Sequence, residues 1–238
     1  MTTPPYIVIG AHGGIGDALA QQLLQEGHSV VATARDASTL SHLSGNVTTM
    51  ALDALDPHSI ETALSGYDEI AGLAYCVGSI DLKPFKAAKD DAFLTSYELN
   101  VLGAIRALRV TEKALKKAKG SVVLFSTIAV QQGFTNHSLI STAKGAVEGL
   151  TRSLAAEWAP DVRVNCIAPS LSDTPLAKPL TSSEPMAKSI AAMHPIPRLG
   201  TAQDSAAMAA YLLTPQSGWV TGQIMHVDGG RSALRVKG

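Results

Sequence analysis

Gly10, Gly14 and Gly16 are spaced Gly-x-x-x-Gly-x-Gly within Gly10-Ala11-His12-Gly13-Gly14-Ile15-Gly16. Before them lies a short apolar, β-branched run, Tyr6-Ile7-Val8-Ile9, which predicts a buried strand. After them Ile15, Leu19, Leu23 and Leu24 fall on one face of a helix. Strand, glycine-rich turn and helix in that order can hold a dinucleotide pyrophosphate. The glycines let the backbone turn sharply and approach the phosphates, and the helix N-terminus offers unpaired N–H groups and partial positive charge. The spacing differs from the commoner Gly-x-Gly-x-x-Gly, and a tight turn without ligand is the competing reading.

The end of the next strand bears on which dinucleotide. An acidic residue there would bond a ribose 2′-hydroxyl. This chain has Ala34 and then Arg35. No carboxylate repels a 2′-phosphate at that point, and a guanidinium can pair with one. NADP(H) is therefore expected over NAD(H), with His12 as an additional candidate contact. Asp36 argues the other way, and an ordinary surface arginine is the alternative.

These residues need a frame. Strands are predicted over Tyr6–Ile9, Ser29–Ala34, Val47–Leu52, Ile70–Cys76, Ser121–Phe125, Val162–Ile167 and Gln223–Val227. Between them fall helical patterns over Asp56–Ser65, Asp90–Ala118, Leu139–Trp158 and Thr201–Leu213, the last opened by the capping box Thr201-Ala202-Gln203-Asp204. Strands apolar on both faces imply a sheet covered by helices on each side. The expectation is one α/β domain over residues 1–238, a single doubly wound, parallel, seven-stranded sheet. Ser170–Gly200 carries five prolines and no clear element, so it reads as a loop near the ligand-binding end of the sheet.

Composition narrows the partners. With 46% hydrophobic residues the chain can fill a core. A formal net charge of −1 leaves no basic excess for nucleic acid or an anionic membrane. No apolar run approaches membrane-spanning length, and Met1–Pro5 lacks the start of a secretory signal, so a cytoplasmic location is expected. Cys76 and Cys166 read as buried free thiols. No cluster has metal-ligand spacing.

In this order the motifs resemble those of the short-chain dehydrogenase/reductase family over nearly the whole chain. The glycine turn resembles its phosphate loop, and Asp53 matches the acidic residue that contacts the adenine. Asn100-Val101-Leu102-Gly103 matches the segment with the active-site asparagine. Arg163-Val164-Asn165-Cys166-Ile167-Ala168-Pro169 matches the strand leading to the nicotinamide side, where Thr174 falls at the position of a nicotinamide-binding threonine. Val227-Asp228-Gly229-Gly230 resembles the C-terminal signature. The resemblance implies a homodimer or homotetramer built through the helices near Asp90–Ala118 and Leu139–Trp158.

The resemblance breaks at the catalytic motif, Tyr-x-x-x-Lys. Lys144 is present, but Ile140 stands four residues before it. In the family the lysine binds the nicotinamide ribose and lowers the pKa of the tyrosine, which donates the proton. Thr127 falls where a serine is usual, with Ser126 beside it, and Ser170 replaces a glycine. Asn100, Thr127 and Lys144 are thus the implied catalytic set. Gly10, His12, Gly14, Ile15, Gly16, Arg35, Asp53, Lys144 and Thr174 are the expected cofactor contacts. His137 is a candidate substitute acid, or an exposed loop histidine. Tyr97 is a phenol near Asn100, expected in the core or an interface.

The expected function is an NADP(H)-dependent oxidoreductase acting on a carbonyl, alcohol or related small molecule, with an atypical proton donor. The rivals are a catalytically silent NADP(H)-binding sensor or partner subunit, and a reductase disabled by Ile140.

Overall fold

The computed structural model describes residues 3–236. Its strands are β1 (Tyr6–Ile9), β2 (Val30–Ala34), β3 (Val47–Ala51), β4 (Gly72–Tyr75), β5 (Ser121–Phe125), β6 (Arg163–Pro169), β7 (Ser172–Asp173), β8 (Gly200–Thr201) and β9 (Ile224–Val227). Seven form one sheet in the order β3-β2-β1-β4-β5-β6-β9, every neighbouring pair parallel. The order reverses between β1 and β4. That switch point opens a crevice at the C-terminal ends of the strands.

The helices are α1 (Gly14–Gln25), α2 (Pro57–Leu64), α3 (Asp90–Tyr97), α4 (Gly103–Lys117), α5 (Ala129–Gln132), α6 (Ser138–Trp158), α7 (Lys178–Thr181), α8 (Glu184–Ala192) and α9 (Ala202–Leu213). Side chains alternate across each strand. Ile7 and Ile9 of β1 therefore join Leu73, Val122 and Val164 under α2, α4 and α6. Tyr6 and Val8 point the other way and join Ala74, Val123 and Ile167 under α1 and α9. The central strands are buried on both faces, as their apolar runs require. β3 is an edge strand, and Thr48 and Thr49 are exposed. No helix among the described residues is long and apolar enough to cross a membrane.

Local chemistry sets the element ends. The Asp56 carboxylate accepts the His58 N–H at 2.9 Å and Pro57 follows, so α2 starts where its cap and proline dictate. The Thr201–Asp204 capping box is formed and opens α9.

Two expectations need correction. The pattern over Asp90–Ala118 is not one uniform helix: a π-helical turn over Glu98–Leu102 separates α3 from α4. Asn100 sits in it and donates from Nδ2 to the Ser96 carbonyl at 2.9 Å, while the Tyr75 hydroxyl donates to the Leu99 carbonyl at 2.7 Å. These side chains take up carbonyls that the wider turn releases. Ser170–Gly200 is likewise not a bare loop. It contains α7 and α8, and its ends are clipped together where β7 pairs with β8. Pro179 and Pro185 lie in the first turns of those helices, where a missing N–H costs nothing.

Candidate active site

The glycine turn is built by steric necessity. Gly10 has φ +86°, a left-handed value that favours glycine. A side chain on Gly16 would begin 2.3 Å from the Gly10 carbonyl oxygen, so β1 and α1 can approach this closely only without one. A side chain on Gly14 would begin 2.8 Å from Cγ2 of Thr174. The first turn of α1 therefore lies directly under Thr174, on the segment after β6. The sequence paired these two positions only through resemblance; the structure puts them in contact.

Beside this turn lies a cleft of about 520 Å³. The ends of β4, β5 and β6 reach it through Cys76–Gly78, Ser126–Ile128 and Pro169–Ser172. One face of α6 supplies Ile140 and Lys144, one helical turn apart. Leu176, Leu180 and Ile190 close it from the segment between β7 and β8. Ile15, Thr174 and His137 also line it.

Lys144 is 7% exposed. Burial pushes its ammonium down to about 8, and the Cys166 and Cys76 thiols partly oppose that shift. The Asn100 carboxamide oxygen is buried without a hydrogen-bond partner among the described residues. Both groups point at Gly78: a side chain there would begin 3.1 Å from Asn100 Oδ1 and 3.2 Å from Lys144 Nζ. Gly78 thus keeps open the space the two polar groups share.

The neighbouring hydroxyls divide their work. Ser126 Oγ donates to the Glu148 carboxylate at 2.8 Å and is committed to holding β5 against α6. Thr127 Oγ1 accepts the Ala129 N–H at 3.3 Å, which leaves its own O–H for the cleft. His137 pairs Nδ1 with the Thr135 carbonyl at 2.7 Å and packs edge-on against Phe134.

Other expected residues lie on the same edge of the sheet but outside this cleft. Asp53 follows β3 and accepts the Leu55 N–H at 3.0 Å. His12 and Arg35 are exposed, one in the glycine turn and one just beyond β2. Asp36, which argued against a 2′-phosphate, is turned to its own loop, where it accepts from the Ser38 N–H and hydroxyl. Tyr97 is 41% exposed and outside the cleft. No tyrosine lines the cleft.

Sequence reasoning missed one side of the pocket. Arg231 lines it with its guanidinium 4.7 Å from the centre of the Phe134 ring. It adjoins Gly230 in the C-terminal motif, so its position was marked, though nothing local showed where its side chain would go.

A parallel sheet carries a dinucleotide-type glycine turn beside a cleft lined by Lys144 and Thr127, with Asn100 buried behind Gly78. The family model described as enoyl-(acyl carrier protein) reductase matches residues 10–232, and the chain belongs to the short-chain dehydrogenase/reductase family. It is 30% identical to L-xylulose reductase of Bos taurus over 230 residues, 94% of each chain. It is also 30% identical to 3-oxoacyl-(acyl-carrier-protein) reductase of Vibrio cholerae, over 94% of this chain and 95% of that one. A short-chain dehydrogenase/reductase structure from Mycobacterium ulcerans superposes with a TM-score of 0.90 at 28% identity, covering 99% of this chain and 92% of that one. The structure of ElxO with NADP bound gives 0.89 at 25% identity, covering 98% and 100%.

Proposed function

We propose that this oxidoreductase uses NADP(H) to interconvert a carbonyl and an alcohol, or a related pair, without a tyrosine proton donor. The observation that carries the reading is the convergence of Asn100 Oδ1 and Lys144 Nζ on Gly78, beside a cleft that Gly78, Lys144 and Thr127 line.

The residues present fit the cofactor. A side chain at Gly14 would press into Thr174 and one at Gly16 into the Gly10 carbonyl, so these glycines let α1 start close against β1, as a dinucleotide-binding turn requires. Arg35 is exposed, and the nearby Asp36 carboxylate is engaged by Ser38. The ElxO relative has been seen with NADP bound. Gly10, His12, Ile15 and Asp53 complete the proposed contacts along the strand ends, with Thr174 over the nicotinamide side and Lys144 at its ribose.

When bound, NADPH supplies a hydride equivalent to the electrophilic carbon. The chain must place the substrate oxygen and protonate it. Thr127 donates a hydrogen bond to that oxygen from Oγ1. Lys144, with a pKa near the operating range, gives up a proton at Nζ and regains it from solvent. Asn100 Oδ1 holds the ammonium side of the relay, directly or through water. Ile140 and the apolar walls keep other water out. The segment between β7 and β8 forms the substrate wall.

A second reading is favoured by one observation: Ile140 is 5% exposed and forms a wall where the family has its acid. On that reading the chain binds NADP(H) as a silent sensor or partner subunit. A titration of protein into NADPH, followed by addition of carbonyl compounds, separates the two. Both predict binding, and only the first predicts consumption. Self-association through the helices near Asp90–Ala118 and Leu139–Trp158, where Leu94 is 71% exposed, fits either.

A further inference from the structure

We infer that Arg231 is the anchor for a carboxylate on the substrate, so that the cleft selects apolar molecules ending in one negative charge. This deepens the reading of the cleft as a substrate site and rests on it.

The cleft holds Arg231 as a cation that no carboxylate touches among the described residues, with Asp228 acting on it only through its field. Its Nη1 donates to Ser170 Oγ at 3.4 Å, and Nη2 reaches only the Met193 sulfur at 3.5 Å, a weak acceptor. No ion pair involving Arg231 forms among the described residues. Arg106, in contrast, is paired with Glu98, and Arg163 is surrounded by the carbonyls of Leu212, Thr214 and Val220. The nearby acid is Asp228, whose carboxylate is occupied by the Gly230 N–H at 2.9 Å, the Ser232 N–H at 2.8 Å and the Ser232 hydroxyl. Asp228 therefore shapes the turn that presents Arg231 and leaves the guanidinium's remaining donors open.

The neighbours hold Arg231 in place. His194 is 4% exposed, and its Nδ1–H donates to the Ile190 carbonyl at 2.9 Å. That leaves Nε2 to accept the Ser170 hydroxyl at 2.8 Å, and Ser170 in turn accepts from Arg231. Every donor in this chain points from Arg231 toward α8. The Phe134 ring covers one face of the guanidinium. Ser170 stands where the family resemblance implied glycine, and its hydroxyl is the link to His194. Elsewhere in the cleft lining, Ile80, Leu82, Leu176 and Leu180 offer only hydrocarbon. A planar, half-buried guanidinium beside apolar walls suits a carboxylate, which takes a two-pronged hydrogen bond and balances one charge. A phosphate monoester would bring nearly two charges to one guanidinium.

The test is titration calorimetry of the full chain with hexanoate, hexanamide and hexyl phosphate, with and without NADPH. Hexanoate is expected to bind at least about tenfold tighter than the neutral amide. Arg231→Gln should erase that difference, and Arg231→Lys should keep part of it. Melting curves confirm that both variants are folded, and Lys carries the charge argument if Gln is not. Equal binding of acid and amide, a hexanoate preference that survives Arg231→Gln, or tighter binding of hexyl phosphate would overturn the assignment. Failure of NADPH to bind, with acid discrimination intact, would remove the cofactor reading and leave this one standing.

Discussion

Asn100 Oδ1 and Lys144 Nζ face one point beside Gly78, at 3.1 and 3.2 Å from where a side chain on that glycine would begin. One is a buried acceptor without a donor among the described residues, and the other is a buried cation whose burial is opposed only by thiols. Neither arrangement favours folding. An unsatisfied buried oxygen costs about 1–3 kcal/mol. Such costs collect at sites held ready for a ligand.

The Lys144 cost is measurable as a stability difference. Its folded pKa of about 8 lies below its ordinary 10.5. The depressed group contributes stability fully present above 10.5 and lost as pH falls through 8. Near neutral pH the folded state therefore carries a penalty of roughly 3 kcal/mol at most. Lys144→Met should raise the melting temperature at pH 6–7, and the gain should shrink between pH 8 and 10.5. A gap that widens with pH would show that the lysine is not desolvated.

Gly14→Ala sets helix propensity against contact. Alanine favours a helix over glycine by about 1 kcal/mol. At this position, however, its Cβ would press into Thr174. The expected outcome is NADPH affinity at least about tenfold weaker, with the helical signal of circular dichroism retained. Unchanged affinity would remove Gly14 and Thr174 from the cofactor site.

Arg35→Glu tests the choice of nucleotide. A charge-assisted hydrogen bond is worth about 1.5–3 kcal/mol, so NADPH affinity should fall roughly 10–100-fold while NADH affinity holds or improves. Fluorescence titration with both nucleotides checks this. An equal loss for both would mean that Arg35 reads the shared part of the molecule or none of it.

Ile140→Tyr returns a phenol one helical turn before Lys144. If proton donation limits the native reaction, turnover of a carbonyl substrate should rise by up to roughly 10²–10⁴. Steady-state rates at matched NADPH saturation report it. A folded variant with no gain would mean that the cleft is shaped around another donor.

Much of this was legible in the sequence, for physical reasons. β1, the glycine turn and α1 are consecutive, so their chemistry is local. Ile140 and Lys144 are one helical turn apart, so their shared face follows from the helix repeat. Asn100 pointed to a distortion of its helix, but the form of the π-turn depends in part on a residue far away: the carbonyls it releases at Ser96 and Leu99 are caught by Asn100 itself and by the distant Tyr75. α7 and α8 were masked by Pro179 and Pro185, which sit in their first turns. Arg231 was the least visible: its place depends on Phe134, Ser170 and His194, which only the folded chain brings together.

The most direct measurement of the central claim follows loss of the reduced-nicotinamide absorbance when saturating NADPH and a panel of ketones, aldehydes and oxo acids meet excess protein. Native protein should consume NADPH with at least one carbonyl, and Lys144→Met should fall by orders of magnitude. Tight NADPH binding with no consumption across the panel would contradict the account and leave a nucleotide-binding subunit without a reaction of its own.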